Sequence, residues 1–447
     1  MALPTVPSLM SGSHLALPGC PDPRRYPLWL PILITVLAGA GFTVFKFVVI
    51  SEIALNRADA EASLPFAWMR AFIDTRPDIP LAEAVSQGLA ATFTVGILAG
   101  FTFNAPLAGA WRVGPMFVLS AVGMGLAALI AIPGGLNPWY AALLMGLSYG
   151  TACAARGKSV PLLAAGNGRD DTTVSGLINA GLVVGLLLGT ILGSQLAVAF
   201  ISEPATADTP AREVGRVLDA PWLAHAILAV GLGLTALLSL RLRLPEQPAV
   251  PFMHGLRDIV GVTVGMLRCH WPLLIGGGIA WGICASASLA VMIYGIQDLK
   301  ISQVTVSYLG GFVALGAIGG NLVSGWFRSR AWVAIFFAAL AVLIATFPYV
   351  VHTWWQGAIA MTLLGFLYMV PTNVIDARFL ALAGREGKAG YGGTVFSMVH
   401  NVFILLVGTG LTILLFSGVV DSRTQFLILA GFTVVALVVS VRAPVRD

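Results

Sequence analysis

Three features of the sequence predict an all-α protein that crosses a membrane about twelve times, in two pseudo-symmetric six-helix bundles. The first is solvent. Of 447 residues, 57% are hydrophobic and 10% charged, with a mean hydropathy of +0.89, whereas a water-facing domain carries roughly 25% charged residues. The second is the recurrence of apolar runs about 20 residues long, the length that crosses the hydrocarbon. The third is the distribution of basic residues. With both termini on one side, seventeen of the 25 Lys and Arg fall on that side, seven on the other, and Lys46 inside a span. Positive charge is retained on the cytoplasmic side.

In order, the first-half spans are predicted near 28–52, 84–105, 114–133, 138–155, 174–201 and 221–240. The second-half spans are predicted near 272–297, 304–326, 331–351, 355–376, 391–416 and 424–441. Residues 1–27 form a cytoplasmic tail that lacks an apolar segment followed by a small-residue cleavage site, so no cleaved signal is expected. The bundles then occupy 28–240 and 272–441, with a cytoplasmic linker at 241–271 and a cytoplasmic tail at 442–447. The expected address is the bacterial cytoplasmic (inner) membrane. Trp29, Trp139, Trp222, Trp271, Trp332, Trp354 and Trp355 fall at span ends, where an apolar ring with one N–H suits the headgroup level.

The linker opens with a polar, Pro-containing stretch. Phe252, Leu256, Ile259, Val260 and Leu267 follow, with Arg257, Asp258 and Arg268 interspersed. This pattern fits a helix lying in the interface; a plain connection is the other reading. The halves carry a faint echo. Leu107-Ala108-Gly109-Ala110-Trp111-Arg112 follows span 2 and Val323-Ser324-Gly325-Trp326-Phe327-Arg328 follows span 8.

Several function classes are excluded by what is missing. The net charge of +5 reads as topology, so no nucleic-acid partner is expected. The four Cys form no CxxC pair and the six His are dispersed, so neither a disulfide framework nor a metal site is predicted. No P-loop, nucleophile elbow, HExxH or dinucleotide fingerprint is present. An enzyme and a cofactor are therefore not expected, and uphill movement of a solute would have to draw on a gradient. The expected partners are membrane lipids and a small-molecule or lipid substrate; the sequence leaves the oligomeric state open.

Few residues are left to carry chemistry. No Asp or Glu falls mid-span, and Asp376 lies near a predicted inner end. His400 and, after it, His225 are the other titratable candidates, although a His within an apolar helix is more often a hydrogen-bonded core residue. Lys46 stands inside the first span, where a charge costs about 2.5–3.5 kcal/mol on insertion scales. It reads as a cationic contact for an anionic group or as a side chain snorkelling to the outer interface. Gly185, Gly189 and Gly193 repeat at four-residue spacing, a face that lets another backbone approach. Two clusters mark the cytoplasmic ends: Arg156 and Lys158 with Asp170 and Asp171, and Asp376 and Arg378 with Arg385, Glu386 and Lys388. With Arg112 they form a candidate inner gate of opposite charges; solvated anchors would have the same composition.

Several stretches together resemble the bacterial lysophospholipid transporter branch of the major facilitator superfamily. Phe45-Lys46 matches the end of that family's first-span pattern F-N-D-N-x-F-K, with Gly41-Phe42-Thr43 in place of the polar triplet. Arg156, Pro161 and Leu187-Leu188-Gly189-Thr190-Ile191-Leu192-Gly193 are similar to its fourth and fifth spans. Val370-Pro371-Thr372-Asn373 and His400-Asn401 are similar to its tenth and eleventh. Trp111 and Ser324 stand where the superfamily's loop motif has an acidic residue. The resemblance implies two bundles rocking around a cavity lined mainly by spans 1, 4, 7 and 10. It implies an amphipathic anion such as a lysophospholipid as substrate, with Lys46 meeting its phosphate. Phe42, Trp281 and Met292 would offer apolar surface, with Asn373, His400 and Asn401 as polar neighbours. A carrier of a small organic solute or metal ion, or a scaffold that kept the fold without transport, are the alternatives.

Overall fold

Backbone amides have no water to bond inside a bilayer, so each apolar run closes its hydrogen bonds on itself. The computed structural model describes residues 26–55, 81–132, 138–200, 220–245, 251–300, 303–411, 414 and 419–442. Among them the chain forms helices and no strand. In order these are α1 (Trp29–Leu55), α2 (Leu81–Ala99), α3 (Phe101–Ala110), α4 (Val113–Ile130), α5 (Pro138–Asn167), α6 (Asp171–Phe200) and α7 (Pro221–Ser239). The second half holds α8 (Phe252–Gln297), α9 (Gln303–Val323), α10 (Arg330–Val350), α11 (Trp354–Arg385), α12 (Ala389–Phe403) and α13 (Ser422–Val441). The chain is a multi-pass membrane protein. Ten of the described helices are long and apolar enough to cross a bilayer, and α2 with α3 makes an eleventh when counted as one bent span. α5 takes the fourth place in the order with too mixed a composition to pass on hydropathy.

Several predicted boundaries move, each for a physical reason. The second span is two helices meeting at 48° across Gly100, just ahead of Pro106, which has no N–H to give the ladder. The fourth span does not end at 155 but continues to Asn167, because Arg156 and Lys158 turn into protein rather than water. The tenth continues past 376 to Arg385. Near 271 the amphipathic stretch and the seventh span join across a kink within α8. Its one non-helical residue is His270 (φ −125°, ψ 18°), two before Pro272. The eleventh span continues from α12 through a π-turn at Ile404–Thr409. The tails at 1–25 and 443–447 and the first linker residues at 246–250 lie outside the described residues.

The halves are built alike, and glycines show it. In the first half a Cβ on Gly96 would strike the backbone of α5 at Leu143, and one on Gly146 the backbone of α2 at Phe93. In the second half Gly316 meets the backbone of α11 at Thr362, and Gly365 that of α9 at Val313. Each reciprocal pair lets two helices touch backbone to backbone, the contact that replaces hydrophobic drive in lipid. Two apolar cores form, one within the first half around Phe45, Met116 and Met145, the other centred on Phe337, Phe347 and Phe426 of the second half and reaching across to Val160, Leu163 and Ile178 of the first.

Helix ends sort onto two faces. One carries Ala110, Asn167, Val323 and Arg385, with Arg112, Arg169, Arg241, Arg243, Arg328 and Arg330 beside them. This is the arginine-rich face; Leu55, Phe200, Gln297 and Trp354 lie on the opposite one.

Candidate substrate site

Two helices carry the charged groups of the site, α5 from the first half with half-buried Arg156 and buried Lys158 and α11 from the second with buried Asp376. The extension of α11 puts Asp376 inside the helix at 2% exposure, instead of at a wet end. Trp281 of α8 donates its indole N–H to Asp376 Oδ2 at 3.2 Å. His400 of α12 sets Nε2 at 3.7 Å from the other carboxylate oxygen. The His400 ring lies against Trp281 (5.6 Å between centroids, 29°) and Phe396 (3.8 Å). Gly277 of α8 faces the pair: a Cβ there would come 3.1 Å from His400 Nε2 and 3.2 Å from Asp376 Oδ1.

Arg156 of α5 faces this cluster from the first half, within electrostatic range of both Asp376 and His400. Arg156 Nη1, Asp376 Oδ1 and His400 Nε2 are each sealed from solvent without a hydrogen-bond partner. A small cavity beside Arg156 is lined by Thr35 and Ala38 of α1, by Tyr149, Ala152 and Cys153 of α5, and by Phe117 and Leu182. Phe42, one turn further along α1, stacks on Tyr149 at 4.3 Å and 16°, with Phe93 edge-on at 5.0 Å.

Toward the arginine-rich face the halves close. Asn373 of α11, 1% exposed, accepts from Ser175 Oγ at 2.8 Å and from Asn179 Nδ2 at 2.9 Å, both on α6. Its own amide donates to the Thr172 carbonyl at 3.2 Å and to Ser324 Oγ. A Cβ on Gly157 would come within 2.6 Å of Gly393 Cα, so α5 and α12 meet backbone to backbone. Outside this, Arg328 reaches Asp170 at 3.5 Å, and Asp170 also caps α6 by accepting the Thr173 N–H at 3.0 Å. Glu386 accepts from His270 at 2.9 Å and Lys388 at 3.2 Å. Partial burial works against the Glu386 carboxylate, but those two donors outweigh it and hold it below its usual range.

With this arrangement described, solved structures supply a comparison. The human organic anion transporter MFSD10 superposes with a TM-score of 0.69 at 12% identity, over 94% of this chain and 100% of that one. The E. coli fucose:proton symporter FucP gives 0.60 at 13%, over 93% and 97%. The proton:xylose symporter XylE gives 0.55 at 12%, over 92% and 94%. The chain has the major facilitator fold. No protein-family model matches the sequence, and no curated protein does.

Within the facilitator fold the predicted residues divide. Trp281, His400 and Asp376 come together, and Phe42 lies above the cavity that Arg156 lines. Lys46, one turn beyond Phe42, is half-buried and has no hydrogen bond or ion pair among the described residues. Asn401 does not join them, since its amide is spent on the Ser397 carbonyl of its own helix at 2.8 Å. The side chain of Met292 lies outside the described residues. Asn373, one turn before Asp376 on α11, turns to Thr172, Ser175, Asn179 and Ser324 instead of to the Asp376 cluster.

The predicted inner gate changes more. Lys158 does not pair with an acid. Its ammonium, 6% exposed, takes the Ala108 carbonyl at 2.6 Å and the Trp111 carbonyl at 2.8 Å, the bare acceptors that end α3. Arg378 donates to the Arg328 carbonyl, Arg112 sits exposed where α4 begins, Arg156 lines the cavity, and Asp376 meets Trp281 and His400. His225 is tied to Glu52 at 2.9 Å. The small-residue face of α6 meets α1 of its own half and not the other half: Gly185 lies on Val36, Gly189 on Ala40 and Gly193 on Val44. Sequence reasoning missed Tyr149, Cys153 and Gly277, and gave Arg156 the wrong neighbours. Tyr149, Cys153 and Arg156 recur at four and three along α5, which is the signal that could have found them.

Proposed function

We propose that this chain is a secondary transporter working by alternating access, and that it carries a small amphipathic organic anion in exchange with protons. Arg156 would hold the anionic group, and the Asp376–His400 pair would gain or lose a proton as the cargo binds and leaves. The observation that supports this most strongly is the trio of sealed, unpartnered atoms on Arg156, Asp376 and His400. A buried polar atom without a partner costs about 1–3 kcal/mol, more when charged. Such a cost persists in a membrane interior where a ligand or proton supplies the missing partner. Among the similar structures, an organic anion transporter supports the anion and two proton symporters support coupling to protons, there in the same direction as the cargo.

A lysophospholipid is one form of this cargo, favoured by the family resemblance, and a flat aromatic carboxylate is another, favoured by the stacked Trp281 and His400. Proteoliposomes with an imposed pH gradient separate these readings, using labelled lysophosphatidylglycerol, indole-3-acetate and neutral xylose. We expect one of the two anions to accumulate at least tenfold above empty liposomes and to collapse with the gradient. Xylose accumulation in place of either anion would overturn the anion assignment. Failure of all three to move would favour a non-transporting role.

A further inference from the structure

We infer that the first half holds a second anion station at Lys46, separated from Arg156 by the Phe42–Tyr149 ring pair. This deepens the transport reading given above and rests on it for direction, though its test does not. Thr35, Ala38, Phe42 and Lys46 follow one another at three, four and four residues and so share a face of α1. Two of them, Thr35 and Ala38, line the cavity that contains Arg156. Lys46 stands about 12 Å further along the helix than Ala38, at 1.5 Å per residue, toward the face opposite the arginines. Arg156 lies seven residues from Tyr149 on α5, about 10 Å nearer the arginine-rich face. The two cations are therefore ranked in depth, Lys46 outer and Arg156 inner.

Between them stands the aromatic pair. Phe42 and Tyr149 are stacked at 4.3 Å, and Phe93 of α2 closes the side of Phe42 at 5.0 Å. Tyr149 lines the cavity itself, so an anion coming from Lys46 reaches Arg156 only when this stack parts. The unpartnered Lys46 ammonium gathers carboxylates or phosphates at the outer station. The ring stack is a single aromatic contact that opens when the cargo brings its own apolar surface.

Cys153 reports on this path, because it lines the cavity on the inner side of the stack. The test uses the full chain purified in detergent, with Cys20, Cys269 and Cys284 replaced by serine. It measures the rate at which Cys153 reacts with an anionic and a cationic methanethiosulfonate of similar size. We expect Phe42→Ala to accelerate both reagents about tenfold, and Lys46→Gln to slow only the anionic one, severalfold. Phe42→Leu, which keeps apolar volume at α1 but removes the ring, serves should the alanine variant not fold; it should accelerate both reagents by a smaller factor. Unchanged rates in either position-42 variant would remove the partition. Equal slowing of both reagents by Lys46→Gln would remove the outer station. No transport is measured, so failure here leaves the transport reading standing, and absent flux in proteoliposomes leaves this path standing.

Discussion

Two neighbouring patches, both built from α5 and α11, one closing the halves and one around Asp376, are made to opposite effect. In the closing patch Asn373 meets four partners, Lys158 fills two bare carbonyls, and Gly157 lies on Gly393. On the adjoining positions of the same helices and two turns along α12 from Gly393, Arg156, Asp376 and His400 each keep a sealed atom without a hydrogen-bond partner. Satisfied polar contacts fix one arrangement, while unsatisfied ones leave free energy for a partner that comes and goes. The first region is suited to closing and the second to binding.

The comparison breaks most sharply at Arg156. Arg156→Gln should lower anion uptake at least a hundredfold in proteoliposomes with little change in thermal stability, whereas Lys158→Met, two residues away, should do the reverse. Removing the Lys158 ammonium bares two carbonyls, and roughly 2–4 kcal/mol of stability should be lost in thermal unfolding. Asn373→Leu is the next largest effect. Loss of its hydrogen bonds should shift the closed-to-open ratio at the arginine-rich face by roughly tenfold, at about 1 kcal/mol net per bond with partial recovery by water. Spin-label distances between positions 243 and 326 would read that shift; an unchanged distribution would mean that the glycine contacts alone hold the face closed.

The smallest effect is a pH dependence at the rim. Glu386 has a folded value below its unfolded one, so its contribution is present above the usual glutamate range, near 4.3, and is lost as pH falls through the folded value. Thermal scans from pH 6 to 3.5 should show wild type losing slightly more stability than Glu386→Gln. A wild type that instead gains on acidification would contradict the sign.

The fold was legible in the sequence because lipid enforces it: twenty-residue apolar runs and the arginine bias sufficed. The α2–α3 bend and the length of α5 and α11 were less so, since a charge reads as a helix end unless its partner is known. Lys158 looked like a solvated anchor because its partners are backbone carbonyls, which leave no mark in the residue pattern. Asp376 looked peripheral for the same reason, its neighbours Trp281 and His400 lying 95 and 24 positions away in the chain. The Gly96–Gly146 and Gly316–Gly365 pairs carry the internal duplication more clearly than the Trp-containing turns, yet no spacing rule on one helix reveals a reciprocal contact between two.

Calorimetric titration of the purified chain with indole-3-acetate and with lysophosphatidylglycerol, repeated in buffers of different ionisation enthalpy, measures binding and proton exchange together. The account predicts binding of one of these anions with linked proton exchange, up to about one proton per site. That exchange should be lost in Asp376→Asn, and binding should weaken at least tenfold in Arg156→Gln. Binding that exchanges no protons in wild type, or that Arg156→Gln leaves unchanged, would contradict it.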